Sequence, residues 1–234
     1  MDVATSTCRS VFANLCIEIG GGVEAGAVER AWELLASHYS EAHRAYHTLQ
    51  HIADLLALDD EWLIRGGEEE SKVVRFAIFY HDVIYDPQSG TNEEDSAELW
   101  LREAVSLGVD DATRDSVARY ILATKTHAAP EGAAPDRALD FFLDFDMSVL
   151  GRAQLSDYQT YTRQVRREWS HLSDEQWAAG RSSFLSATLA PSAHMEPKCV
   201  FITPEMRALL EGHAARNLAW ELDSLQRQAA DSPL

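Results

Sequence analysis

The chain has 234 residues, of which 46% are hydrophobic and 25% are charged, a composition typical of a globular protein with a substantial core. Its formal net charge of −18 argues against a role in wrapping DNA or RNA, because binding to a phosphate backbone needs a basic surface. For the same reason, a small phosphorylated substrate needs a local positive charge on this protein, which bound metal cations can supply.

The expected compartment follows from what the sequence lacks. No apolar run approaches the length of about 20 residues that spans a bilayer. The segment Met1–Gly20 has no basic start, and Glu18 interrupts its apolar stretch, so we expect no signal peptide. The three cysteines, Cys8, Cys16 and Cys199, lack metal-ligand spacing and are typical of reduced thiols. We therefore expect a cytoplasmic protein without membrane contact.

Apolar residues recur with helical spacing through nearly the whole chain, beginning with Val11, Leu15 and Ile19. Breaks are predicted at Gly20–Gly22 and Gly66–Gly67, and a loop at 190–201. The further predicted helices are, in chain order, about 26–38, 41–58, 71–85, 91–107, 112–126, 137–150, 156–171, 173–189 and 203–230. Because no convincing strand alternation occurs, the predicted fold class is all-α, with one helical-bundle domain over 1–234 and its core at about 26–222.

Two local patterns refine these helices. The segment 71–85 is apolar on most sides, which predicts a largely buried helix. Thr91 and Glu94 have the spacing of a capping box, which predicts that a helix begins there.

Three short clusters have the residue types of a metal site: Tyr46–His51, His81–Asp82 and Asp144–Asp146. On a helix, His47 and His51 would share one face, one turn apart. Imidazole and carboxylate together suit a divalent cation such as Mn²⁺, Fe²⁺, Ni²⁺, Co²⁺ or Zn²⁺. These residues therefore predict a metal site, and they leave open which histidine of the first cluster and which aspartate of the third are ligands.

A lone buried histidine is usually a hydrogen-bonded core residue. We therefore predict that five of the histidines outside these clusters are core residues of this kind: His38, His43, His171, His194 and His213.

The order His…His-Asp…Asp on helices resembles the HD superfamily of metal-dependent phosphohydrolases. A bacterial branch of predicted HD phosphohydrolases is similar over most of the chain from about Trp32 to Leu222. The segments that carry this resemblance are Tyr46–Asp54, Phe79–Pro87, Asn92–Ala97, Leu143–Gly151, Tyr158–Tyr161, Val165–Glu168 and Ala215–Leu218. The resemblance implies an HD-type helical bundle that hydrolyses a phosphomonoester or phosphodiester of a small, nucleotide-like metabolite.

The first cluster is also similar to the Tyr-His-Asn-x-x-His segment of cyclic-nucleotide phosphodiesterases, distant members of the same superfamily. In those enzymes the second histidine binds metal and the first protonates the leaving oxygen. By position, the resemblance implies His51 as a ligand and His47 as the catalytic acid. Thr48 replaces the asparagine here, and the long catalytic domain of the phosphodiesterases is not matched, so cyclic-nucleotide hydrolysis is not implied.

The resemblance also orders the remaining ligands. Asp146, which Met147 and Ser148 follow, matches the last ligand, with Asp144 as the alternative. The implied metal ligands are thus His51, His81, Asp82 and Asp146. Asp82 would hold both the metal and the attacking water, while the identity of the cation (Mn, Co, Ni, Fe, Zn or Mg) and the number of ions stay open.

Substrate contacts are predicted for three further residues, Arg44, Lys125 and His127. Arg44 precedes His47 by about one turn, with a solvated helix residue as the alternative interpretation. Lys125 and His127 end a predicted helix and could touch substrate or a second metal. The arginines at 163, 166, 167 and 181 are interpreted as paired surface residues. The expected partner is a small phosphorylated substrate, and whether the protein is a homo-oligomer stays open.

Two alternative functions stay open. An HD-fold di-iron oxygenase needs extra histidine ligands for its second iron, and His127 is the one candidate. A non-catalytic metal-binding HD module commonly lacks a ligand, whereas all four are present in this sequence.

Overall fold

The computed structural model describes residues 2–19, 25–62, 68–189 and 199–231. These residues form ten α-helices and no strand, which confirms the all-α prediction. The helices are α1 Val3–Glu18, α2 Ala25–His38, α3 Leu49–Trp62, α4 Glu68–Tyr80, α5 Asn92–Ser106, α6 Asp111–Ala123, α7 Arg137–Met147, α8 Leu155–Glu168, α9 Asp174–Leu189 and α10 Pro204–Asp231. No helix in these ranges has the length and apolar character needed to cross a membrane.

Some sequence predictions lie outside the described residues. They are the glycine breaks at 20–22 and 66–67, most of the loop predicted at 190–201, and His194. The chain forms two compact units, Met1–Phe145 and Asp146–Leu234, and the boundary passes through the continuous helix α7. The assignment of the whole chain to one domain stays a prediction.

Helix α4 lies at the centre of the first unit, where it packs against α1, α3, α5 and α6. Its last turns are buried on all sides, as its sequence predicted. The ring of Phe79 lies edge-on to Phe12 of α1 at 5.2 Å, and Phe76 and Tyr80 contact Trp100 of α5 at 4.9 and 5.0 Å. Each fully buried side chain of this kind stabilises the fold by roughly 1.5–3 kcal/mol, so this core fixes the end of α4.

In the second unit, α10 packs against α9 and against a 3₁₀ turn at Ser148–Gly151. Gly151 permits this close approach, because a Cβ atom there would lie 2.6 Å from Cβ of Leu210. Asn217 of α10 donates from Nδ2 to the carbonyl oxygens of Leu150 and Arg152, both at 2.9 Å. These contacts fix the chain that follows α7 onto α10.

Several predicted helix boundaries are wrong by three residues or more, and three of these boundaries lie next to the candidate metal ligands. The helix predicted at 41–58 begins only at Leu49, the helix predicted at 71–85 ends at Tyr80, and α7 ends at Met147. Before α3, side chains bond to loop backbone instead: His43, for example, donates from Nε2 to the carbonyl of Tyr85 at 2.7 Å. After α7, the chain continues as the 3₁₀ turn Ser148–Gly151. Tertiary hydrogen bonds thus replace the helical ones that local propensity favours.

The capping box is also wrong, although α5 begins where it predicted. Thr91 is the N-cap residue, but its side chain caps no backbone N–H and donates to Asp95 Oδ2 at 2.9 Å. Glu94 accepts a hydrogen bond from Lys125 instead of reaching back to the N-cap. The three acidic residues in the first turn of α5 still interact favourably with the helix dipole.

Candidate metal centre

The four predicted ligands lie at helix ends. His51 is in the first turn of α3, His81 and Asp82 directly follow α4, and Asp146 is in the last turn of α7. One ligand atom of each lies within 4.8 Å of the ligand atoms of the others. His51, His81, Asp82 and Asp146 therefore form a cluster that could hold a metal ion.

The tautomer of His81 is fixed by the backbone. Its imidazole is fully buried, and Nδ1 lies 3.0 Å from the carbonyl oxygen of Ile78. Because a carbonyl can only accept, Nδ1 carries the proton and donates it. This hydrogen bond orients the ring and directs Nε2 into the cluster, the arrangement that metal-binding histidines usually have.

The distance between the His81 imidazole and the Asp82 carboxylate is consistent with a cation between them. Nε2 of His81 lies 3.0 Å from Oδ2 of Asp82, and the neutral Nδ1–H tautomer leaves a lone pair on that nitrogen. Two acceptors at this distance repel each other unless a proton or a cation lies between them. Either one would balance the negative charge of the Asp82 carboxylate, and the presence of His51 and Asp146 in the same cluster favours a metal ion over a proton.

His51 adds the third donor. Its Nε2 lies 3.2 Å from Nε2 of His81 and 3.7 Å from Oδ2 of Asp82, and its side chain is buried. Ligand atoms about 2.1 Å from a cation lie about 3.0 Å apart in octahedral and about 3.4 Å apart in tetrahedral geometry. The observed separations span these values, so the donor set fits a borderline divalent cation in either geometry.

The structure also separates the two aspartates of α7. Asp146 belongs to the cluster, whereas Asp144 does not. Two residues along an α-helix correspond to a rotation of about 200°, so the two carboxylates point to different sides of α7. Asp144 is buried on its side, and Asp146 is half-buried.

His47 lies beside the cluster rather than in it. Its Nε2 is 3.9 Å from Oδ2 of Asp82, and its ring centroid is 6.0 Å from that of His51. The prediction that His47 and His51 share a helix face is wrong, because α3 begins at Leu49. The tertiary fold nevertheless brings His47 next to Asp82, on the side where both side chains are about one-fifth exposed.

Arg44 is a buried residue. Its side chain has no exposed surface, and its guanidinium donates to the carbonyl oxygens of His47, Asp82 and Val83. The alternative interpretation of Arg44 as a solvated helix residue is therefore wrong. Its substrate contact stays a prediction.

Lys125 and His127 follow α6 and do not belong to the metal cluster. Lys125 donates from Nζ to Glu94 and to the carbonyl of Gly90, and the hydrogen bond to Glu94 raises the pKa of Lys125. His127 is half-buried and has a left-handed backbone, with φ of 48°. The substrate contacts of both residues stay predictions.

The other histidines and the arginines lie outside the cluster. Among the described residues, the cluster includes none of His38, His43, His171 and His213. The prediction that these four are core residues is wrong, because His43 and His171 are exposed and His38 and His213 are half-buried. Arg166 pairs with Asp174 at 2.8 Å, as a surface residue would. Arg181 differs from that prediction, because its side chain is only 9% exposed and forms an ion pair with Glu221 at 2.8 Å.

Tyr85 is a residue of this site to which sequence reasoning gave no role. Its ring centroid lies 4.2 Å from that of His47, and the guanidinium of Arg44 lies over its face at 5.4 Å. It therefore restricts the orientation of the His47 ring. No spacing rule links residues 47 and 85, so only the resemblance of the segment Phe79–Pro87 hinted at its importance.

Ser96 and Asn92 of α5 hold the loop that follows Asp82. Ser96 Oγ accepts from the amide of Ile84 at 3.1 Å and donates to the carbonyl of the same residue at 3.3 Å. Asn92 and Asp86 exchange a pair of hydrogen bonds at 2.9 and 3.0 Å. The segment Asn92–Ala97, which carries part of the resemblance, thus anchors the backbone next to a candidate ligand.

The chain was compared with known protein families, curated proteins and solved structures. No family model, no curated protein and no solved structure matches the chain. Membership of the HD superfamily therefore stays a prediction from the segments named above.

Proposed function

We propose that this chain is a metal-dependent phosphohydrolase of the HD type. Its proposed substrate is a phosphomonoester or phosphodiester of a small, nucleotide-like metabolite. The observation that carries the proposal is the cluster of His51, His81, Asp82 and Asp146, in which an imidazole nitrogen and a carboxylate oxygen face each other at 3.0 Å. The same four residues are those that the resemblance implies as ligands.

The residues that would hold the cation differ in solvent exposure. We use this difference to infer from which side a substrate would reach the site. The imidazoles of His51 and His81 are 1% and 0% exposed, whereas the side chain of Asp82 is 22% exposed. A phosphoryl group would therefore approach from the side of Asp82. When bound, a divalent cation activates water as a nucleophile and neutralises charge on the phosphoryl oxygens.

His47 lies on the same open side, with its side chain 20% exposed. We assign to its Nε2 the proton that the departing alkoxide takes up. A positioned general acid of this kind contributes about 10²–10⁴-fold to the rate. Tyr85 packs against the His47 ring and keeps it from turning away from the cluster.

The test is a substrate screen on protein that has been stripped of metal and reloaded with Mn²⁺, Co²⁺, Ni²⁺, Zn²⁺ or Mg²⁺. The substrates are phosphomonoesters, cyclic nucleotides and dinucleoside polyphosphates. We expect metal-dependent hydrolysis confined to one ester class, abolished by His81→Ala and by Asp82→Ala. His38→Ala, which removes a histidine outside the cluster, should leave the activity unchanged.

Other outcomes would favour other functions. Unchanged hydrolysis in the His81→Ala and Asp82→Ala variants would show that this cluster is not the catalytic centre. Two redox-active irons without hydrolysis of any ester would identify the oxygenase alternative. A bound metal without any catalytic activity would favour the non-catalytic module.

A further inference from the structure

We infer that Arg44 is a positioning residue, which holds the loops of His47 and Asp82 together so that the cluster is ready to bind metal. One guanidinium bonds to both loops: Nη1 donates to the carbonyl oxygen of His47 at 3.1 Å and to that of Asp82 at 2.7 Å. Nη2 donates to the carbonyl oxygen of Val83 at 2.8 Å. Arg44 thereby links two segments that lie far apart in the chain.

These loops need such a link because no helix holds them. His47 precedes α3, and Asp82 follows the last residue of α4, so the carbonyls of both lie outside regular helical hydrogen bonding. Backbone carbonyls that are buried without a partner are costly, and Arg44 satisfies three of them. The same bonds fix the backbone from which the Asp82 carboxylate projects.

Arg44 is itself held from several sides. Its Nε donates to Oε2 of Glu41 at 3.0 Å, and its guanidinium lies over the rings of Tyr39 and Tyr85 at 5.1 and 5.4 Å. Because the side chain has no exposed surface, these contacts are not exchanged for water. The guanidinium is thus a rigid part of the site rather than a mobile surface charge.

The inference rests on the proposed metal centre, and it predicts an effect on metal affinity. Residues that orient metal ligands typically contribute about 10–100-fold to affinity. Lysine cannot replace Arg44, since its three donors share one nitrogen and cannot span carbonyls in the planar fork of a guanidinium. Arg44→Lys therefore keeps the charge and removes the link between the loops.

The experiment compares Mn²⁺ binding, measured by calorimetry, in the wild type, Arg44→Lys, Arg44→Met and Arg181→Lys. Arg181 is the matched control, because it is also a buried, ion-paired arginine but lies in the unit that lacks His51, His81 and Asp82. We expect Arg44→Lys to raise the Kd for Mn²⁺ about 10–100-fold and to alter the visible spectrum of bound Co²⁺. Arg181→Lys should lower Tm and leave the Kd unchanged.

The readouts separate this inference from the proposed function. If the wild type binds Mn²⁺ and Arg44→Lys binds it with the same Kd, Arg44 has no positioning role and the metal centre stands. If both lysine variants weaken binding in proportion to their loss of Tm, the effect is general destabilisation and the inference is overturned. If the wild type binds no divalent cation, the metal centre and the inference fail together. Arg44→Lys keeps the buried charge, so the comparison does not depend on the folding of Arg44→Met.

Discussion

The hydrogen bond from His81 Nδ1 to the carbonyl of Ile78 has two effects at one position. The last carbonyls of an α-helix have no intrahelical partner, and here the side chain of the residue after α4 satisfies one of them. The same bond sets the tautomer that leaves a lone pair on Nε2, which lies 3.0 Å from Asp82. The end of α4 and the orientation of a candidate ligand therefore depend on one contact.

The assigned role of His47 predicts a dependence on the leaving group. His47→Gln removes the acid but keeps a hydrogen-bonding side chain of similar size. We expect a loss of about 10²–10⁴-fold in kcat for alkyl phosphate esters, whose leaving group needs a proton. The loss should be much smaller for a p-nitrophenyl ester, because p-nitrophenolate departs without protonation. Steady-state kinetics on both esters measures the difference.

Metal binding provides the control for this variant. The Kd for Mn²⁺ should not change in His47→Gln, because His47 lies outside the ligand cluster. An equal loss of kcat on both esters would contradict the role of His47 as the proton donor.

Residue type and order indicated three clusters with the chemistry of metal ligands, and the resemblance selected His51, His81, Asp82 and Asp146 from them, the four residues that the structure brings together. Residue type and order were not sufficient for Arg44 and Tyr85, whose roles depend on loop geometry. If residues 41–58 formed one helix, as the sequence predicts, Arg44 would be interpreted as a residue on the surface of that helix. Only the late start of α3 turns its side chain towards the carbonyls of His47 and Asp82.

The helices were predictable because their apolar positions recur at helical spacing, but their ends were not. Residues 41–48 and 81–85 are compatible with helix, and side chains from elsewhere in the fold end the helices there. His43, Arg44 and Ser96 all bond to backbone at 82–85, which spacing along the chain does not reveal. The candidate ligands lie at these helix ends, so the least predictable parts of the fold carry the site.

The ion pair between Asp59 of α3 and Arg75 of α4 leads us to expect that the stability of the fold depends on pH. Asp59 of α3 is buried, with Oδ2 2.6 Å from Nε of Arg75 and Oδ1 without a partner among the described residues. Burial raises the pKa of Asp59 to about 6 from an ordinary value of 3.8, despite the opposing effect of Arg75. The folded state therefore holds this proton more tightly than the unfolded chain does.

The sign follows from linkage. Because the folded state binds the Asp59 proton more tightly, protonation of Asp59 stabilises the fold. This contribution is complete below about pH 4 and is lost as pH rises through about 6. The two-unit shift corresponds to about 3 kcal/mol. We expect the difference in unfolding free energy between the wild type and Asp59→Asn to fall by up to about this amount from pH 4 to pH 7.5. Urea denaturation at several pH values measures it.

A matched variant separates this effect from general charge repulsion. Asp60 also pairs with Arg75, through Nη2 at 2.7 Å, but its side chain is 68% exposed. Asp60→Asn should therefore show the pH dependence of the wild type. If Asp59→Asn and the wild type differ by the same free energy at every pH, Asp59 does not titrate as described.

The whole chain has a net charge of −18, so it repels an anionic substrate at a distance. A divalent cation in the cluster would offset the negative charges of Asp82 and Asp146 and give an approaching phosphoryl group a cation to bind.

The helical periodicity of the apolar residues predicted the all-α class, because it persists along the chain. It did not predict the grouping into Met1–Phe145 and Asp146–Leu234, because periodicity within a helix carries no information on which helices associate.

The most direct test of the metal centre is anomalous diffraction from crystals of the protein soaked in Mn²⁺. We predict an anomalous peak for a manganese ion in the cluster. Its ligands should be Nε2 of His51, Nε2 of His81 and carboxylate oxygens of Asp82 and Asp146. The distances should be about 2.0–2.3 Å, as expected for a first-row divalent ion with these ligands. Crystals of Asp82→Ala should lack the peak. Manganese bound elsewhere, or no peak among these four side chains in the wild type, would contradict the account.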